Sequence, residues 1–199
     1  IFIANPNNPT GTLLSNEDLY KFLLKVPSSA IVVLDQAYIE YLNVIDDTVQ
    51  WLHEFDNLVI TRTFSKAYGL AGLRIGYSIS SSQIADYLNR IRQPFNVNYV
   101  AQIAATAALA DEAFLVRSVV ANKNGLLQLS QGFDKLDLSY IPSSANFVAV
   151  KVNDAIKIYQ KLLEKGFIVR PVEMQNYLRV SVGTQIENEE FLDALKSVL

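Results

Sequence analysis

The sequence predicts an α/β fold followed by a small α+β domain, on three observations. Short apolar runs rich in Ile, Val and Leu alternate with amphipathic stretches along the first part of the chain. These runs are continuous, with little in/out alternation, as in strands buried on both faces of a sheet covered by helices. After Pro142 the pattern changes to strand, helix, two strands and a closing helix.

The candidate strands of the first part are Ile1 to Ala4, Ile31 to Asp35, Leu58 to Thr61 and Leu73 to Ile79. Ser15, with Asp18 three residues on, starts a helix whose apolar positions Leu19, Phe22, Leu23 and Val26 keep helical spacing before Pro27 ends it. A second helix covers Ser82 to Arg92. From Tyr99 to about Leu136 the chain reads as helix almost throughout, with breaks near Asp111 and near Gly125. Its segment AQIAATAALA permits close packing, and the length suggests a connector between domains. Later elements are a strand Asn146 to Val152, a helix Asp154 to Lys165 closed by Gly166, strands Phe167 to Arg170 and Tyr177 to Val182, and a last helix with Thr184 and Glu187 in capping-box spacing. The expected division is residues 1–125, part of a large domain with its connecting helix, and residues 126–199, the small domain.

Composition narrows the chemistry. The 199 residues are 50% apolar and 19% charged, with a net charge of −3, which excludes disorder and collagen. A chain of this size can bury roughly 70% of its unfolded surface and needs no staples. Twenty Asp plus Glu stand against 17 Lys plus Arg with no run of like charge, so neither nucleic acid nor an anionic membrane is an expected partner. No segment reaches the roughly 20 apolar residues of a membrane span. The absence of Cys excludes a disulfide framework, a thiol nucleophile and a thiolate metal site. His53 is the only His, which excludes multi-His metal sites, and no metal is expected. Its polar surroundings point to a solvated side chain, and Trp51 nearby reads as packing. The chain opens at Ile1 in mid-strand and its only Met is Met174, so we expect an N-terminal portion to precede it and the 199-residue piece to be inactive alone.

Three segments carry chemistry. Residues 5–11 read NPNNPTG directly after a strand, and the Asn-Pro and Pro-Thr-Gly steps fix a turn that presents an Asn amide at a strand's carboxyl end. The same residues suit an ordinary strand-to-helix turn. LDQAY puts Asp35 at the end of a second strand with Tyr38 three residues on; a carboxylate buried there wants a cation, although a helix cap is an equal alternative. TRTFSKAYGLAGLRIGY, from Thr61 to Tyr77, collects Thr63, Ser65, Lys66 and Arg74 among small residues that let a ligand approach the backbone. Hydroxyls with Arg suit a phosphate, and a Lys in that setting can serve as a nucleophilic amine. Each segment follows a separate strand of one sheet, which raises the set above any one motif.

The order NPTG, D-x-A-Y, T-F-S-K and A-G-L-R resembles the pyridoxal 5′-phosphate (PLP) aminotransferases of fold type I. SKAYGLAGLRIGY, SSANFVAVKV, GFIVRP and LRVSVGT resemble the histidinol-phosphate aminotransferase family in particular, nearly in register from Ile1 to Leu199. The resemblance implies that this is the C-terminal part of the longer protein. It makes Lys66 the Schiff-base lysine and proton shuttle, and pairs Asp35 with the pyridinium nitrogen so that the ring acts as an electron sink. Asn8 and Tyr38 would bond the ring's phenolic oxygen, and Thr63, Ser65 and Arg74 would hold the cofactor phosphate. Arg179 would clamp the acidic group of the substrate, with Arg170 as a second cation for a phosphate or, alternatively, an exposed strand-end Arg. The implied reaction exchanges an amino group between histidinol phosphate and 2-oxoglutarate, giving imidazole acetol phosphate and L-glutamate, in a cytoplasmic homodimer. Alternatives within the fold are a broad aromatic or aliphatic aminotransferase and a lyase similar to threonine-phosphate decarboxylase; an aminotransferase-like sensor domain of a regulator is a non-enzymatic one. Two departures stand out. Gln36 replaces the acid that usually follows the strand Asp, and the VEMQNY loop between Arg170 and Arg179 is shorter than in relatives.

Overall fold

The computed structural model describes residues 1–42 and 47–199. The chain forms two units, Ile1–Pro6 with Leu13–Val116, and Asn7–Thr12 with Arg117–Leu199. The second unit thus takes up the chain earlier than residue 126 and adds a short N-terminal segment.

In the first unit, β1 (Phe2–Ala4), β2 (Val32–Asp35), β3 (Leu58–Thr63) and β4 (Gly76–Ser80) lie in that order in one sheet. The first two pairings are parallel and the last is antiparallel. Ala4 pairs with Asp35 and Asp35 with Thr61, so the carboxyl ends of the three parallel strands share one edge. Asn5 N–H to Asp35 O and Gln36 N–H to Thr61 O, both 2.9 Å, carry the ladder one step further. Leu19 and Leu23 of α1 (Asn16–Leu23) pack on Val32, Leu34, Leu58 and Ile60, with Trp51 alongside. Burial on both faces is seen at the start of β3, whereas in β2 Val32 and Leu34 are buried, Val33 is half-buried and Asp35 is exposed. Within this chain the edge strands β1 and β4 are more exposed, with Phe2 at 85%.

Several element boundaries differ from the sequence reading. α1 stops at Leu23 and does not reach Val26: Lys25 and Val26 bond three residues back in a tightening turn, and Pro27 disfavours helix at the residue before it. β4 begins at Gly76 because Ala71–Leu73 is a 3₁₀ turn and Arg74 is left-handed (φ 54°, ψ 48°), outside extended geometry. The second helix is α2 (Ser82–Ile91), and the long helical region is α3 (Tyr99–Ala110) and α4 (Glu112–Lys135). The break at Asp111 is present, and its Oδ1 accepts the Phe114 N–H at 2.9 Å.

No break occurs at Gly125, which lies within α4. Glycine is there for space, since a Cβ would run into Val182 Cγ1 and stand 3.0 Å from Asn188 Nδ2. Ala would ordinarily favour a helix by about 1 kcal/mol over Gly. Here Gly125→Ala is expected to destabilise by about 1–3 kcal/mol, because Val182 is stiff and Asn188 is 2% exposed and bonded to Gly183 and Gln128. A fall in the urea midpoint checks it; a rise would mean the helix propensity prevails.

The second unit pairs β5 (Tyr140–Ile141), β6 (Phe147–Lys151), β8 (Tyr177–Ser181) and β7 (Arg170–Pro171) in that sheet order, all antiparallel. Leu129 and Phe133 of α4, Ile158 and Leu162 of α5 (Ala155–Glu164), and Phe191 and Leu195 of α6 (Gln185–Val198) bury against Val148, Val150, Leu178 and Val180. Gly166 (φ 87°) closes α5: its N–H bonds Leu163 O, and the Phe167 N–H reaches back to Leu162 O. With that N–H engaged, the strand expected from Phe167 shrinks to β7. The capping box of α6 is complete, Thr184 N–H to Glu187 Oε2 at 2.7 Å and Glu187 N–H to Thr184 Oγ1 at 3.3 Å. Among the described residues no helix is long and apolar enough to cross a membrane.

Candidate active site

Six of the nine residues singled out from the sequence fall in the first unit, at the carboxyl edge of its sheet. Asp35 closes β2 just past the buried Leu34 and is exposed, its Oδ1 accepting the Ala37 N–H at 3.1 Å. In this chain the carboxylate faces outward at the sheet edge, where a cationic group could reach it. Tyr38 is 5% exposed, and Lys66 Nζ lies 5.5 Å from its ring centroid.

The loop that carries Lys66 is held on both sides. Phe64 and Ala67 are buried, and the Phe64 ring meets Tyr68 and Tyr77 at 5.1 and 5.7 Å between centroids. Leu70 N–H bonds Phe64 O at 2.9 Å and Gly69 N–H bonds Lys66 O at 2.9 Å, with Gly69 at φ 72°. Thr63 Oγ1 accepts the Ser65 N–H at 3.0 Å, which shapes the turn. Arg74 Nη1 donates to Ala71 O at 2.8 Å and reaches Ser65 Oγ at 3.5 Å. Its left-handed backbone brings a guanidinium and a hydroxyl to one point, a donor set that fits an oxyanion.

A buried polar network behind these residues was not legible in the sequence. Gln36, 2% exposed, donates from Nε2 to Thr48 Oγ1 at 2.8 Å, and its Oε1 accepts Arg62 Nε at 3.1 Å and Nη2 at 2.9 Å. Burial, and then the neighbouring Glu40 and Tyr77, push the Tyr68 hydroxyl above its ordinary range, while Arg62 opposes them.

The other three residues lie in the second unit. Asn8, expected beside the end of the first strand, belongs to the Asn7–Thr12 segment, and its Oδ1 accepts Arg179 Nη1 at 2.8 Å. That segment is a tight loop: Asn7 N–H bonds Thr12 O and Gly11 N–H bonds Asn7 O, with Gly11 at φ 75° against Ser143. Arg170 and Arg179 are direct cross-strand partners. Like charges so paired repel, and side chains directly opposite share a face. Arg179 stacks over Phe147, 5.1 Å from the ring centroid, and its buried Nε has no hydrogen-bond partner among the described residues. A cavity of about 460 Å³ is lined by Asn8, Pro9, Arg170, Pro171, Val172, Glu173 and Arg179. An orphaned guanidinium donor beside a second guanidinium calls for an anion.

Trp51 packs at the edge of the first core and His53 is exposed, as the sequence suggests. Among the described residues no group of three or more His, Asp or Glu side chains could hold a metal ion.

The sequence profile of "Aminotransferase class I and II" matches residues 1–195. The histidinol-phosphate aminotransferase of Methylobacillus flagellatus is 56% identical over 204 residues, covering 100% of this chain and 55% of that protein. That of Caldicellulosiruptor saccharolyticus is 50% identical over 205 residues, covering 100% and 57%. The chain thus spans about half the length of the curated relatives it matches. The crystal structure of histidinol-phosphate aminotransferase from Sinorhizobium meliloti, in complex with pyridoxal-5′-phosphate, superimposes with a TM-score of 0.92 at 33% identity, covering 99% of this chain and 56% of that one. L-threonine-O-3-phosphate decarboxylase from Porphyromonas gingivalis gives 0.87 at 25% identity, covering 98% and 63%.

Proposed function

The chain belongs to the class I and II aminotransferases and has the fold type I architecture of PLP-dependent transferases, and from that premise we propose that it serves a histidinol-phosphate aminotransferase. The reaction proposed is histidinol phosphate plus 2-oxoglutarate to imidazole acetol phosphate plus L-glutamate, in a cytoplasmic homodimer. The cofactor is pyridoxal 5′-phosphate, which when bound supplies the electron sink for loss of the substrate's Cα proton. Ser65, Arg74 and Thr63 suit its phosphate: the first two converge their donors, and Thr63 sets the turn. Lys66 anchors it through Nζ and, when released, carries a proton at the same atom. Asp35 would pair with the protonated ring nitrogen, and Tyr38 and Asn8 would each be candidates to bond the ring oxygen.

The observation that carries the choice of substrate is the pairing of Arg170 with Arg179 across β7 and β8 in one cavity. A single guanidinium satisfies a carboxylate in bidentate fashion, whereas two cations held on one face suit a phosphate dianion. This favours a phosphorylated substrate over an aromatic or aliphatic amino acid. Threonine phosphate would share that preference, but relatives at 50–56% identity carry the histidinol-phosphate name, against 25% for the decarboxylase. A substrate panel of histidinol phosphate, phenylalanine and threonine phosphate on the complete protein tests the reading. Faster turnover of either competitor would sink it.

Single-residue variants sharpen the test. Arg170→Ala is expected to lower kcat/KM for histidinol phosphate by about 10- to 100-fold, the loss of one charge-assisted contact, and to leave glutamate within about 3-fold. Arg179→Ala is expected to impair both half-reactions. Equal losses for the two substrates on Arg170→Ala would return that residue to an exposed strand-end role.

A further inference from the structure

The network of Gln36, Arg62 and Thr48 lies next to the proposed cofactor residues. Gln36 directly follows Asp35, and Arg62 directly precedes Thr63. Side chains alternate along a strand, so Arg62 projects to the face of the sheet opposite Thr63. One amide oxygen receives two N–H groups of one guanidinium, at 3.1 and 2.9 Å, from a residue 26 positions away. A second anchor at Thr48, itself 1% exposed, fixes the amide plane. The link is therefore made between the two strand ends that bear Asp35 and the Thr63–Lys66 turn.

We infer that Arg62 and Gln36 are positioning residues: their bidentate contact sets the separation between Asp35 and the Lys66 turn, and with it the affinity for the cofactor. The contact needs an acceptor at position 36 that offers one oxygen to both Nε and Nη2. Glutamine does so without a second carboxylate charge beside Asp35. The departure from the usual acid is thus compatible with the clamp, and either acceptor should sustain it. The inference rests on the PLP reading above.

The test measures the PLP dissociation constant of the complete protein by equilibrium dialysis, with borohydride labelling of Lys66, KM and kcat as further readouts. Gln36→Ala is expected to weaken PLP binding about 10-fold and to lower kcat more than it raises the substrate KM. Arg62→Lys keeps the charge but loses the two-toothed contact, and is expected to weaken binding by about 3-fold, which secures the test if Gln36→Ala folds poorly. Gln36→Glu is expected to restore wild-type affinity within about 2-fold. Leu23→Ala, in the core of the same unit, controls for lost stability and is expected to leave PLP affinity unchanged while lowering the melting temperature. Wild-type affinity in both Gln36→Ala and Arg62→Lys, an equal loss in Leu23→Ala, or no rescue by Gln36→Glu would overturn the inference alone. Failure of the wild-type protein to bind PLP at Lys66 would overturn the functional reading and this inference with it.

Discussion

Lys66→Ala is expected to lower transamination by about 10⁴-fold, the largest effect of any substitution considered, because it removes the covalent anchor and the proton carrier together. The turn around it should survive. Phe64 and Ala67 keep their burial, and the bonds Leu70 N–H to Phe64 O and Gly69 N–H to Lys66 O are made by backbone alone. Lys66→Arg is a stricter comparison, since it keeps a cation near the Tyr38 ring and loses only the nucleophilic amine. Both variants should be equally inactive. Borohydride reduction of the PLP-loaded complete protein, followed by peptide mapping, gives the check: label on Lys66 in the wild type and none in either variant. Label on another lysine would refute the assignment.

Asp35→Asn is expected to reduce turnover by about 10³-fold while PLP affinity changes far less. The side chain is exposed and its one local contact, with the Ala37 N–H at 3.1 Å, can be made by an amide oxygen as well. Strand, turn and the Lys66 loop should therefore stay in place. What is lost is the negative charge that keeps a ring nitrogen protonated. Single-turnover kinetics in each half-reaction separates the outcomes: equal rates in variant and wild type would remove Asp35 from the chemistry, and a large loss of affinity would make it a binding group.

Much of this was legible in the sequence because the signals are local. The N-cap at Ser15, the capping box at Thr184, the stop at Gly166 and the apolar runs of β2, β3 and β6 each lie within a few residues of the feature they specify. Gly125 misled, since a glycine reserved for the close approach of Val182 looks like one that ends a helix. Arg74 misled differently: nothing in LAGLRIGY distinguishes a left-handed Arg from the start of a strand. The site divides in the same way. Lys66, Ser65 and Arg74 sit in one short segment, so their grouping could be read directly. The Arg62 to Gln36 contact and the Arg170 to Arg179 pairing depend on strand register, which no local pattern states. The hydrogen bond from Arg179 to Asn8 spans 171 residues and was invisible for the same reason.

That last bond bears on how the protein is assembled. The polypeptide passes between its two units three times, because Asn7–Thr12 is set apart from the residues on either side of it. Ser144 N–H bonds Gly11 O at 2.8 Å, and Arg179 reaches Asn8, so this early segment docks only on partners made much later during synthesis. Contacts of such sequence separation carry a large loop-closure cost and form late. Within this chain, β1 to β4 pair between strands consecutive in sequence and can form before them. A ribosome-bound chain halted before Arg179 should already present a protected first sheet to hydrogen exchange while the NPNNPTG loop remains open to protease. On this order the anion cavity would take shape after the first sheet, once Arg179 can reach Asn8.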